Sequence, residues 1–190
     1  MLSLIATVLL AAAAVVGGAS PTETVQGAVQ QVFTQDGAVI KKVSIEERRA
    51  DIRKVAEGLF DFQEMSRRSL GPTWDKVSPA ERDEFVRLFT NLVANAYMGK
   101  IEQYTGEPIK YEGEQIDGSE ASVRSRVVTP KGAEINLDYR LYRVDERWAV
   151  YDVKIDGISL VASYKAQFAR LLQRGSFPDL LKQLRQKAGS

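Results

Sequence analysis

The 190-residue chain is long enough for one domain, and 44% hydrophobic residues supply a core of its own. Its 26 Lys and Arg nearly cancel its 25 Asp and Glu, which argues against a nucleic-acid binder, since phosphate recognition needs a surplus of cations. Cys and His are both absent, so disulfides, thiol nucleophiles, Ser-His-Asp triads and nearly all zinc and non-haem iron sites are removed together.

Leu2 to Val16 carries no charge and is rich in Leu, Ala and Val. About 15 apolar residues are short for a bilayer span and right for the core of a signal peptide, and Gly17 and Ala19 offer the small side chains a signal peptidase reads. Residues 1–19 are therefore expected to be a leader cleaved after Ala19, with Ser20 as the second candidate and an uncleaved membrane anchor as the competing reading, although no Lys or Arg stands between Met1 and the apolar run. No Cys follows the leader, which excludes a lipoprotein anchor. From Thr22, the residues Val25, Ala28, Val29, Val32 and Phe33 form a helical stripe that Asp36-Gly37 ends. Ser44-Ile45-Glu46-Glu47 fits a capping box, and Ile52, Val55, Ala56, Leu59 and Phe60 give the helix after it a buried side. Asp61 to Leu70 predicts a short helix that Gly71-Pro72 stops. A second capping box, Ser78-Pro79-Ala80-Glu81, opens the longest helix, whose stripe runs through Phe85, Leu88, Phe89, Leu92, Ala96 and Ile101 to a stop at Tyr104-Thr105-Gly106.

From Ile109 the period falls to two. Ala121, Val123, Ser125 and Val127 alternate with Ser122, Arg124 and Arg126, and a Pro130-Lys131-Gly132 turn leads to Ile135, Leu137, Tyr139 and Leu141 on the next strand. The run from Trp148 to Phe168 organises the rest. Strict alternation puts Trp148, Val150 and Asp152 on one side of a strand and Ala149, Tyr151, Val153 and Ile155 on the other, so both faces are covered. Asp156-Gly157 breaks the strand, and Ile158, Val161, Tyr164, Phe168 and Leu171 form one stripe of a following helix. A last helix spans Phe177 to Lys187. Helices, then a meander, then helices predict an α+β fold with a curved antiparallel sheet of about four strands packed against several helices, and any cavity is expected along this seam.

Chemistry is sparse. Asp138, Asp152, Asp156 and Glu64 are the acids nearest apolar surroundings, but their spacing demands no acid-base pair, and no P-loop, dinucleotide fingerprint or nucleophile elbow is present. Arg124, Arg126, Arg140, Arg143 and Lys154 sit on neighbouring strands and read as a solvated face or as a basic strip for an anionic partner.

WAVYDVKIDGISLVASYKAQFARLL resembles the hallmark segment of the MlaC family of periplasmic phospholipid carriers, also known as toluene-tolerance auxiliary proteins. FDFQEMSRRSLGPTW and SPAERDEFVRLFTNLV are similar to earlier blocks of that family in order and spacing. The resemblance implies an α+β fold, distantly NTF2-like and cystatin-like, around an apolar cavity, with residues 20–190 forming a single lipid-binding domain. It also implies a monomeric periplasmic shuttle that is not an enzyme and needs no cofactor. Such a shuttle moves phospholipid between an outer-membrane lipoprotein complex and an inner-membrane ABC transporter bearing an MCE-domain ring. On that footing Phe85, Phe89, Leu92, Leu137, Tyr139, Val150, Val153, Leu160, Val161, Tyr164 and Phe168 are expected to wall the pocket, with the phosphate at its mouth. The rival readings are a carboxylate-based enzyme on an NTF2-like cone, and a periplasmic adaptor whose core is filled.

Overall fold

The computed structural model of the chain describes residues 18–32, 44–102, 107–129 and 131–188. Most of the leader, the Asp36-Gly37 and Tyr104-Thr105-Gly106 stops and Pro130 lie outside these residues. The chain order is α1 (Pro21–Val32), α2 (Ile45–Leu59), α3 (Phe62–Leu70), a 3-10 turn (Gly71–Lys76), α4 (Pro79–Glu102), the strands β1 (Ile109–Asp117), β2 (Glu120–Val128), β3 (Glu134–Val144), β4 (Arg147–Ile155) and β5 (Ile158–Ser159), then α5 (Leu160–Arg174) and α6 (Phe177–Ala188). The strands form one antiparallel meander in sequence order.

Local chemistry sets the helix starts. The Ser44 hydroxyl accepts from the Glu47 amide at 3.2 Å while the Glu47 carboxylate accepts from the Ser44 amide at 2.8 Å. Ser78 and Glu81 repeat this reciprocal cap, which contributes about 1 kcal/mol per helix. Ser20 and Glu23 build a third such cap, so α1 starts at Pro21, slightly ahead of the Thr22 start read from sequence. Asp61 caps α3, and Gly71, at φ 60°, ends it in a left-handed conformation that a side chain would strain.

Two corrections come from the organising run. Asp156 and Gly157 have φ of 49° and 80°, the paired positive values of a tight hairpin turn, and that hairpin makes Ile158–Ser159 a short fifth strand. Ile158 is consequently 69% exposed and lies outside the helix, which begins at Leu160. The second correction is a β-bulge. Arg140 faces Asp152 and Leu141 faces Val150, so Tyr151 is an extra residue that shifts the alternation by one. Trp148, Val150, Val153 and Ile155 thereby share one face, where they join Leu137, Tyr139, Leu141, Ala121 and Val123.

The apolar side chains fall into two groups. α3, α4, α5 and α6 interlock around Phe85, Phe89, Phe168 and Leu180 in a helical core. α1 and the end of α2 cover the inner face of the sheet through Val25 and Leu59. Between them the α2–α3 corner attaches to the edge of β4, where Phe60 bridges Val150 and the Asp61 amide donates to the Val150 carbonyl at 2.9 Å.

Candidate functional site

Two hollows lie between the sheet and the helices. The inner one, about 200 Å³, is bounded by α2, α3, α4 and the ends of β3 and β4, with Phe62, Met65, Val93, Met98 and Val153 among its lining. The outer one, about 480 Å³, opens between α1, α2 and the sheet, with Val29, Val55, Leu59, Ile109, Val127 and Leu137 among its lining. Ile52, Ala56, Phe60, Tyr97, Tyr139 and Ile155 line both, so the hollows adjoin along one row of side chains.

α4 explains why space remains. Phe85, Leu88 and Phe89 bury into the helical core, whereas Thr90, Val93, Ala94, Tyr97, Met98 and Ile101 recur at steps of three and four on another face and line the inner hollow. That second stripe is legible in the sequence, but it overlaps the aromatic one and the two merge into a single reading. Opposite it, α2 presents Ile52 and Ala56, which border the hollow without filling it. Arginines instead span the gap between the two helices. Arg49 holds the Glu102 carboxylate through two nitrogens at 2.6 and 3.2 Å, Arg48 donates to the Glu102 carbonyl at 3.2 Å, and Arg53 donates to Asn91 Oδ1 at 2.7 Å. The hydrogen bonds from Arg49 hold the Glu102 carboxyl below the usual carboxylate range.

Of the eleven residues expected to wall a pocket, Leu137, Tyr139, Val153 and Leu160 line the hollows. Phe85, Phe89, Val161 and Phe168 are packed in the helical core, with Leu92 and Tyr164 against it. Val150 faces the sheet's inner side and is buried against Val25 and Leu59. The aromatic residues fill their own space: the Phe89 ring lies 5.1 Å from Tyr164, 5.6 Å from Phe168 and 5.9 Å from Phe85. The α1 and α2 contributions were not singled out from sequence, because nothing in a helical stripe states whether it meets side chains or a void.

The candidate acids have structural duties. Buried Asp152 accepts from the Ser159 hydroxyl at 2.6 Å and from the Val161 amide at 3.0 Å, which fixes the start of α5. Glu64 accepts from Arg67 and Arg68, and these bonds, Arg67 first, hold its carboxyl below the usual range against the opposing effect of burial. Asp138 stands between Arg124 and Lys154 in the sheet register. Asp156 accepts from the Asn136 amide at 2.9 Å at the rim of the outer hollow. Burial pushes the Tyr97 hydroxyl above its ordinary pKa. The basic strip is interleaved with acids, since Arg126 pairs with both Glu112 and Glu134. No group of acidic residues among the described residues could hold a metal ion, and no described helix is long and apolar enough to cross a membrane.

The two hollows, lined almost wholly by apolar side chains, lie within an α+β domain. The chain belongs to the MlaC family, whose pattern, described as MlaC protein, matches residues 23–186. It is 20% identical over 195 aligned residues to the intermembrane phospholipid transport system binding protein MlaC of Haemophilus influenzae, an alignment that covers 99% of this chain and 91% of that protein. Over 100 residues it is 27% identical to the toluene tolerance protein ttg2D of Pseudomonas putida, covering 52% of this chain and 46% of that one. Among solved structures it resembles a phospholipid-binding protein from Ralstonia solanacearum in complex with a phospholipid, with a TM-score of 0.77, 25% identity, and coverage of 87% of this chain and 95% of the other.

Proposed function

We propose that this chain is a phospholipid carrier that holds the acyl chains of its cargo in the two adjoining hollows. The observation that carries the reading is the hollow space itself. Interiors are normally close-packed, and an apolar void forfeits contacts along its whole lining unless something fills it. Moving a methylene out of water gains about 0.8 kcal/mol, so even one partly buried chain makes release into water slow. Cargo then leaves efficiently only where a second apolar path is offered. The same phospholipid chemistry named for the Haemophilus and Ralstonia proteins supports the choice of ligand.

In this reading residues 1–19 direct export and are removed, and residues 20–190 act in the periplasm as a monomeric domain. The domain exchanges lipid between an outer-membrane lipoprotein complex and an inner-membrane ABC transporter bearing an MCE-domain ring. Leu137, Tyr139, Val153 and Leu160 touch the tails, together with the α2 and α4 residues that face them. The carrier performs no chemistry on its cargo. Among the described lining residues Asp156 is the one carboxylate, and it is exposed and engaged in a turn. A filled adaptor core is disfavoured by the hollows.

The test is extraction of lipid from the purified chain after bacterial expression, followed by mass spectrometry. Stoichiometric phospholipid that survives washing is expected, and its consistent absence would overturn the reading.

A further inference from the structure

Among the described residues lining the outer hollow, only Lys100 and Asp156 carry charge. They sit side by side with residues that matter: Lys100 precedes Ile101 on α4, Asp156 follows Ile155 on β4, and both isoleucines line both hollows. Both charges therefore belong to the exposed border of the outer hollow. Both residues are exposed, and among the described residues neither takes part in an ion pair. The Lys100 ammonium lies 5.6 Å from the centre of the Tyr97 ring, a cation–π placement beside another residue of the lining. Asp156 spends one oxygen on the backbone amide of Asn136, a bond that holds its carboxylate at the tight turn.

An apolar hollow bordered by one cation and one anion is complementary to a ligand whose tails are apolar and whose head carries a negative and a positive group. We propose that Lys100 and Asp156 are headgroup-selecting residues that favour a zwitterionic aminophospholipid over an anionic phospholipid with the same chains, an inference that rests on the carrier reading above. Lys100 meets the phosphodiester, which both lipids carry. Asp156 meets the ammonium, which only the aminophospholipid carries. A glycerol headgroup offers Asp156 hydroxyls but no charge, so the discrimination falls on that residue. Since both side chains are exposed, the preference is modest and screened by salt.

The experiment loads the purified full chain from vesicles of equimolar phosphatidylethanolamine and phosphatidylglycerol with identical acyl chains at low salt, then measures bound species by mass spectrometry. Enrichment of phosphatidylethanolamine by about two- to fivefold over the vesicle ratio is expected, the scale set by an exposed ion pair. Asp156→Asn keeps the turn, because Asn accepts the same amide hydrogen bond and tolerates positive φ, and it should return the bound ratio to that of the vesicles. Lys100→Gln should weaken uptake of both lipids while retaining the enrichment, and added salt should erode the enrichment in the unaltered chain. Equal uptake of the two lipids, or an enrichment that Asp156→Asn leaves unchanged, overturns the inference while the carrier reading stands. Absence of any bound lipid overturns both. Should Asp156→Asn fail to fold, Asp156→Gly, which suits the positive φ and removes the carboxylate, makes the same test: loss of the enrichment supports the inference and its persistence overturns it.

Discussion

Phe89 and Tyr97 stand about two turns apart on α4 and meet opposite surroundings. Phe89 is wedged among the rings of Phe85, Tyr164 and Phe168, contributed by α4 and α5, with no exposed surface left. Tyr97 borders both hollows. The difference lies in what the facing elements supply. α5 sends rings toward the first half of α4, and rings interdigitate across a helix-helix gap. Toward the second half, α2 sends Ile52, Arg53 and Ala56, the sheet sends Tyr139, Val153 and Ile155, and a hollow remains among them. A packed region and an unfilled one can therefore share one helix, according to what the partner elements place against each half.

The comparison breaks most visibly at Phe89. Phe89→Ala should cost about 3–5 kcal/mol of stability in a urea titration, because a close-packed aromatic cluster does not collapse around the gap. A cost below about 1 kcal/mol would mean that the helical core is looser than its ring geometry states. Asp152→Ala comes next, at about 1–3 kcal/mol, since it strands the Val161 amide and the Ser159 hydroxyl where α5 starts. Leu137→Trp and Val153→Trp push a ring into the hollows, so stability should move by less than about 1.5 kcal/mol while extracted lipid falls by more than half. Unfolding of both variants would place these positions in ordinary core.

The smallest effect sharpens the boundary between the regions. Tyr142 donates to the Asp61 carboxylate at the α2–α3 corner, and burial, with help from that bond, pushes its pKa up to about 12. Unfolded tyrosine loses its proton near pH 10. Between about pH 10 and about pH 12 the unfolded state thus binds fewer protons than the folded one, and stability falls as pH rises through that window. Tyr142→Phe should flatten this alkaline decline in thermal melts, and an unchanged slope would remove Tyr142 as its source.

The elements of this fold were largely legible, because capping boxes, turn residues and periodicity are local signals. Ser44 with Glu47 and Ser78 with Glu81 announce their helices, and the burial of Ala121, Val123, Ser125 and Val127 follows the alternation along β2. What strict alternation hides is the bulge at Tyr151. Reading through it places Val150 and Val153 on opposite faces, whereas the extra residue puts them on the same one. The site was harder to read for a related reason. An aromatic stripe such as Phe85 and Phe89 signals burial, and burial is equally the signature of a filled core. Among the residues that bound the hollows are modest ones, Ala56, Thr90, Val93 and Ala94, whose meaning depends on the distance to the next element, which no single stretch of sequence records.

The amide of Asp61 bound to the carbonyl of Val150 is a peptide-to-peptide link, indifferent to which side chains surround it. On one side of that tether the chain leads back along α2 over the sheet, and on the other it leads into the ringed bundle of α3 to α6. On the carrier reading, exchange of Ile52, Ala56 or Val153 for bulkier or slimmer residues would resize the chamber for shorter or longer tails without moving the partition beside it. Cargo dimensions can therefore drift while the scaffold keeps its shape.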